Sequence, residues 1–402
     1  MKDPSAPHRS HARGGALQRG RSIPSRPPLR VWVWAAATVA LLLVATLLWR
    51  GSDAAATTST TAAPADVPSG TPAGAVSEAW AAEGTLLPGT VVGQGRVLVG
   101  STHGVQARDP LTGDEVWRYT RSNARMCGLT ATDGVAVAVF ATEDRCDEAV
   151  ALDAGTGVRV WTRSLNLAGD AVLDSTSAIV LASNPTGVMT LDPTGNNVRW
   201  RYPAPETCRL LGADAGTTGV VVLERCGDAT DVTVRLLDGF AGSENWSRSL
   251  PVGEGEPVQL LGADVVVTVR VGDEVQTLTG PDGTELSRMP LPEGTTDVQQ
   301  VTAGTVSLVR TDAVVTALDT SSGAPLWDAP AVGLPVTAAG PKDAARPAPI
   351  LLPDEDGFSS RDPLTGTELG RYAVEGPPSG GAASAVGPVV VLRLDDRVLA
   401  YS

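Results

Sequence analysis

One spacing constrains this chain more than any other. An apolar, alternating stretch ends at an Asp, a Gly-containing turn follows, and a Trp stands eight residues after the Asp. The copies are Asp109-Pro-Leu-Thr-Gly113 with Trp117, and Asp153-Ala-Gly-Thr-Gly157 with Trp161. Then come Asp192-Pro-Thr-Gly195 with Trp200, Asp238 and Gly242 with Trp246, and Asp319 and Gly323 with Trp327. Two copies are degenerate: Thr279 and Gly283 lead to Ser287, and Asp362-Pro-Leu-Thr-Gly366 leads to Gly370. From Trp117 onward the Trp positions are 44, 39, 46, 41, 40 and 43 residues apart.

An Asp side chain can close a turn, and Gly tolerates the positive φ of a tight reversal. The turn therefore joins two antiparallel strands, with the Trp on the second, placed to fill the space between adjacent sheets. Tyr119, Tyr202 and Tyr372 fall two residues after a Trp position, on the same strand face. Between turns the chain predicts two further strands, for example 134–141 and 148–153. Four short strands in about 42 residues is the size of one propeller blade. The fold class is all-β. Residues 78–80 (Glu-Ala-Trp) offer a Trp strand without an Asp strand, and 397–402 offer the reverse, with Ser402 at the Asp position. Pairing these halves closes a ring. The Trp positions 80, 117, 161, 200, 246, 287, 327 and 370 then count eight blades. A seven-bladed ring is the alternative, if one degenerate repeat is an insertion.

The strand–D-x-x-T-G-x-x-x-W pattern of Asp109–Trp117 and Asp153–Trp161 resembles the PQQ-like repeat of quinoprotein-type eight-bladed propellers. The resemblance covers residues 76–402. It implies either a quinoprotein dehydrogenase or a non-catalytic scaffold, since that family holds both. The Lys-poor composition, with only Lys2 and Lys342, and the N-terminal apolar segment are similar to membrane-anchored PQQ-like proteins of actinobacteria.

Residues 31–49 carry no charge, Gly or Pro. Nineteen residues at a helical rise span roughly 28 Å, enough for a bilayer core. Trp32, Trp34 and Trp49 sit at its ends, where indoles favour the headgroup boundary. Seven positive charges precede the segment. That predicts an uncleaved single-pass signal anchor with a cytoplasmic N-terminus (1–30) and an exported remainder, hence a cell-membrane location. Residues 50–75, rich in Ser, Thr, Ala and Pro, read as a linker. Net charge is −14; residues 1–50 hold eight Lys/Arg and one Asp, so the rest carries −21. Such an acidic body excludes nucleic acid as the ligand of the exported domain.

Cys127, Cys146, Cys208 and Cys226 are separated pairwise by 19 and 18 residues, at corresponding places in alternate repeats. Four cysteines allow three connectivities, and the repeat alignment selects Cys127–Cys146 and Cys208–Cys226. Both bridges suit an oxidising exterior.

Catalytic constellations are sparse. Quinoprotein dehydrogenases carry a vicinal Cys pair and aromatic residues around the quinone. Here no cysteines are adjacent, and Trp80, Trp117, Trp161, Trp200, Trp246 and Trp327 are all assigned to blade packing. No PQQ or other cofactor is expected, and no metal ligand set. His103 is the one exported His and reads as a turn residue. The acidic clusters 143–148 and 354–356 do not follow a calcium-loop register and read as solvated loops. The expectation is a non-catalytic scaffold, not an enzyme, that binds protein or cell-envelope partners at the membrane. The alternative is an envelope enzyme, either a divergent quinoprotein dehydrogenase or a carbohydrate-active propeller.

Overall fold

The computed structural model describes residues 28–84, 92–132, 134–142, 145–167, 171–195, 197–336 and 348–402. The chain divides into a unit ending at Ala55 and a unit of Ala56–Ser402.

The described part of the first unit is dominated by one helix, Leu29–Arg50, with no buried residue. Its 22 residues are about 33 Å long, so it is long and apolar enough to cross a membrane. A helix apolar on every side suits lipid rather than a protein surface. Its two hydroxyls are satisfied internally: Thr38 donates to the Trp34 carbonyl at 2.9 Å and Thr46 to the Leu42 carbonyl at 2.7 Å.

The second unit is an eight-bladed β-propeller. Blade 4 is representative: Cys208–Gly216, Gly219–Cys226, Val232–Leu237 and Glu244–Leu250 pair in chain order as an antiparallel meander. Blades 1 to 6 follow each other along the chain, blade 1 starting at Val92 and blade 6 ending at Pro330. Among the described residues blade 7 has three strands, Ile350–Asp354, Gly357–Arg361 and Glu368–Ala373. Blade 8 closes the ring: Glu78–Glu83 pairs with Arg397–Tyr401, setting Trp80 opposite Ala400. This is the joining of the two ends that the half-repeats predicted, and it rules out seven blades.

The last two strands of every blade share one irregularity. The register slips at the residue before the Trp position in all eight blades, including those with Ser287 and Gly370. A bulge there re-aims the following side chain toward the next blade. The degenerate repeats have thus lost the indole but kept the backbone device that aims it.

The core lies between blades, not inside one sheet. Eight clusters of buried apolar side chains occupy the eight junctions. Second strands face a neighbouring blade on both sides, which is why Val180–Asn184 and Val266–Val271 are buried along their whole length.

Part of the segment 50–75 packs on the ring. Thr57–Ser59 adds a fifth strand to the outer edge of blade 1, opposite Arg121–Tyr119. The Thr60 amide then donates to the Arg118 carbonyl, and the Ala62 amide to the Thr156 carbonyl of blade 2. A Thr/Ser stretch has no core of its own, but its amides can complete an open strand edge.

Candidate functional site

Six of the eight junctions are held at the rim by the repeated residues. The Asp of each turn accepts backbone amides: Asp109 from Leu111 and Thr112, Asp238 from Phe240 and Ala241, Asp362 from Leu364 and Thr365. This fixes the turn so that one carbonyl projects toward the preceding blade. The indole N–H of that blade donates to it. Trp80 donates to Pro110, Trp117 to Ala154, Trp161 to Pro193, Trp200 to Gly239, Trp246 to Gly280 and Trp327 to Pro363, at 2.6–3.0 Å. The turn Gly lies flat on the ring. A Cβ at Gly157, whose φ is +74°, would stand 2.7 Å from Trp117.

Two junctions lack this clasp. At blades 5 and 6 the Ser287 hydroxyl is buried without a hydrogen-bond partner, and the Gly323 turn sits close over it. At blades 7 and 8 Gly370 contributes no side chain. Here the ring opens into a cleft of about 780 Å³ lined by Glu78, Glu375, Pro378, Arg397, Leu399 and Tyr401, among others. Tyr401 meets Phe358 edge-on at 5.3 Å. Burial, reinforced by the Glu78 carboxylate, raises its phenol above the usual 10.0 and keeps it a proton donor.

The same cleft takes in chain. The Val76 amide donates to the Ala373 carbonyl and the Ala373 amide to the Gly74 carbonyl, each at 3.0 Å. Ser77 and Ser402 exchange two backbone hydrogen bonds, at 3.1 and 3.0 Å. An extended segment is thus fastened into the unclasped junction by backbone alone.

Around the axis the first strands adjoin, and polar bonds cross between blades. Thr130 and Ser175 share a hydrogen bond of 2.7 Å. Asp174 accepts the Ala215 amide at 2.8 Å, and Asp214 accepts the Ala263 amide at 2.6 Å. The two carboxylates therefore link blades 3, 4 and 5. Burial, and then the neighbouring Asp174, push Asp214 well above the carboxylate range. Sequence reasoning missed this pair; the available signal was one Asp inside the strand 172–175 and one inside the strand 208–216.

The cysteines form the bridges Cys127–Cys146 and Cys208–Cys226, each within one blade, with Cα separations of 5.9 and 3.9 Å. The His103 ring Nδ1 lies 2.9 Å from the Ala124 carbonyl, in the turn between the second and third strands of blade 1. The acidic clusters are not simply solvated. Asp147 is buried against Arg145 at 3.6 Å, and Asp354 is buried 3.0 Å from Arg371. Arg145 stands two residues before Asp147 on the same strand, and Arg371 reaches Asp354 from the outermost strand of blade 7. Glu143, Asp144 and residues 1–27 lie outside the described residues. Among the described residues, no group of three or more His, Cys, Asp or Glu is arranged to hold a metal ion.

Residues 46–215 and 230–402 match a family model described as outer membrane protein assembly factor BamB. Among solved structures, BamB from Moraxella catarrhalis is 18% identical, covering 81% of this chain and 99% of that one, with a TM-score of 0.48. The computationally designed Ika8 protein is 15% identical, covering 81% and 98%, with a TM-score of 0.55. No curated relative matches the chain.

Proposed function

The chain belongs to the PQQ-like repeat family described as outer membrane protein assembly factor BamB, and from that premise we infer that its ring is an interaction scaffold of the cell envelope. The observation that carries this reading is the capture of extended chain at open strand edges. The ring holds its own residues 57–59 on blade 1 and 74–77 at the junction of blades 7 and 8. An edge that accepts one extended segment through backbone hydrogen bonds is suited to accept another from a partner protein. Six outer indoles are committed to neighbouring turns, and both disulfides close loops within blades. These residues do not fit a quinone site, which supports a non-catalytic role.

The apolar helix anchors the ring to the cell membrane, and the positive charges before it favour a cytoplasmic N-terminus. The disulfides agree with a ring on the oxidising side.

Crosslinking in intact cells followed by purification of the anchored protein should recover one reproducible set of envelope proteins. Recovery of none would overturn the scaffold. A large thermal stabilisation by PQQ with calcium, or by cell-wall sugars, would instead favour the enzyme reading.

A further inference from the structure

Each of the four cysteines has an arginine within two residues: Arg125 before Cys127, Arg145 before Cys146, Arg209 after Cys208 and Arg225 before Cys226. In blade 2 these arginines are engaged. Arg145 pairs with Asp147, and the Arg125 guanidinium lies 3.7 Å from Cys146 Sγ. Blade 4 is different. Arg209 and Arg225 stand directly opposite each other on its first two strands, one register step from the Cys208–Cys226 bridge. Directly opposed residues have Cβ atoms about 5 Å apart, and like charges so placed repel. Among the described residues, no carboxylate lies within ion-pair distance of either. The Arg225 Nε is buried without a hydrogen-bond partner.

The neighbouring blades show how unusual this is. At the same register step, blade 5 sets Arg270 opposite Gln259 and blade 6 sets Arg310 opposite Gln299. Both of those guanidinium groups have partners, although the Arg310 Nε, like that of Arg225, is buried without one. Arg270 donates to the carbonyls of Gly272, Thr295 and Thr296. Arg310 donates to the Asp312 carbonyl and pairs with Asp297. Blade 4 keeps the repeated arginine, replaces the facing glutamine by a second arginine, and supplies neither with an anion. It does so in a body that carries −21 outside residues 1–50, where acids to neutralise the pair are plentiful.

We propose that Arg209 and Arg225 form an oxyanion site that takes a phosphoryl group. Two fixed positive charges are matched by one dianion, whereas a single carboxylate leaves one charge uncompensated; a phosphate ester carries roughly −1.5 to −2 near neutral pH. Two planar guanidinium forks also present paired donors to its oxygens. The adjacent disulfide holds the strand ends in register against their repulsion. Arg209 is exposed and Arg225 half-buried, so the ligand enters from solvent over Arg209. This site stands independently of the scaffold reading, since it concerns blade 4 and not the edges that hold extended chain.

The test uses the full chain in neutral detergent, with calorimetric titration and thermal unfolding at constant ionic strength. Inorganic phosphate and glycerol 3-phosphate are the probes and acetate is the control. Phosphate should bind saturably and raise Tm, acetate should not, and Arg209→Gln or Arg225→Gln should weaken binding by roughly tenfold or more, the worth of a charge-assisted hydrogen bond. Without phosphate, Arg209→Gln should unfold no earlier than the parent at low salt, because the repulsion is gone. Tighter binding of the ester points to a phosphorylated envelope component, and tighter binding of the free ion to phosphate itself. Equal shifts with acetate, or binding that survives Arg209→Gln, would sink the site. Recovery of envelope partners by crosslinking is unaffected by either result.

Discussion

The junction of blades 1 and 2 and that of blades 5 and 6 have the same backbone plan and different fillings. Fifteen buried apolar residues pack at the first among the described residues, centred on the fully buried Trp117. Five pack at the second, where Ser287 stands at the Trp position. The bulge before that position is present in both. The axis differs in the same sense. Cross-blade hydrogen bonds join blades 2 to 5 through Thr130–Ser175, Asp174 and Asp214. Gln300 of blade 6 instead binds Thr302 and Ser307 of its own blade. Backbone geometry is thus what makes eight blades, while the indole and the axial stitches decide how firmly neighbours are joined.

The largest effect is expected from the clasped side. Trp117→Ala removes the buried ring and leaves the Ala154 carbonyl without its donor. Large aromatic-to-alanine changes in cores cost about 3–5 kcal/mol. Denaturant unfolding should show a loss of this size; a loss under 1 kcal/mol would mean that the bulge and turns hold the junction without the indole.

The reverse substitution sharpens the contrast. If Ser287 were a vacant clasp, Ser287→Trp would stabilise. The Gly323 turn has instead closed down, since a Cβ there would stand 2.6 Å from the Ser287 hydroxyl. The indole must push it away, and overpacking of this kind costs about 1–3 kcal/mol. A gain in Tm would show that the turn retreats freely and that the junction is merely underfilled.

The axial stitch gives a smaller effect, visible as a slope against pH. Asp214 is raised in the folded ring from its ordinary 3.8 by burial and by Asp174. A raised carboxyl contributes stability that is fully present below the unfolded value and is lost as pH rises through the folded one. Stability from this group should therefore fall as the pH rises above the ordinary value of 3.8 toward the raised folded one, and Asp214→Asn should lack that fall. Carboxylates lowered in the fold, such as Asp192, Asp319 and Glu368, act oppositely but equally in both proteins. The difference between the two pH profiles is the measurement, and parallel profiles would remove Asp214 from the pH response.

What could be read from the chain follows the same division. The Asp–Gly–Trp spacing repeats because every rim clasp solves one packing problem, so blade number, ring closure and disulfide partners were legible. The axial pair was not, because first strands vary from the two residues of Val92–Gly93 to the nine of Cys208–Gly216, and a lone Asp in such a strand has no period. Capture of Thr57–Ser59 was illegible for another reason. Its cause is the open edge of blade 1, some sixty residues away, and a Thr/Ser stretch carries no pattern that announces it. The opposed arginines of blade 4 became visible only when register placed them face to face.

The smallest effect on stability belongs to the other unclasped junction, and it separates packing from function. A Cβ added at Gly370 meets only the Tyr372 hydroxyl, at 3.8 Å, and no positive φ forbids a side chain there. Gly370 is half-buried but has open space beside it, so Gly370→Trp should change stability by no more than about 0.5 kcal/mol. The indole would nevertheless project at the junction that holds the cleft lined by Glu78, Arg397 and Tyr401. If partners dock at that cleft, the variant should fold as the parent does and yet lose crosslinked neighbours in intact cells. Unchanged crosslinking with unchanged stability would move the docking surface elsewhere, to the open outer edges of the remaining blades.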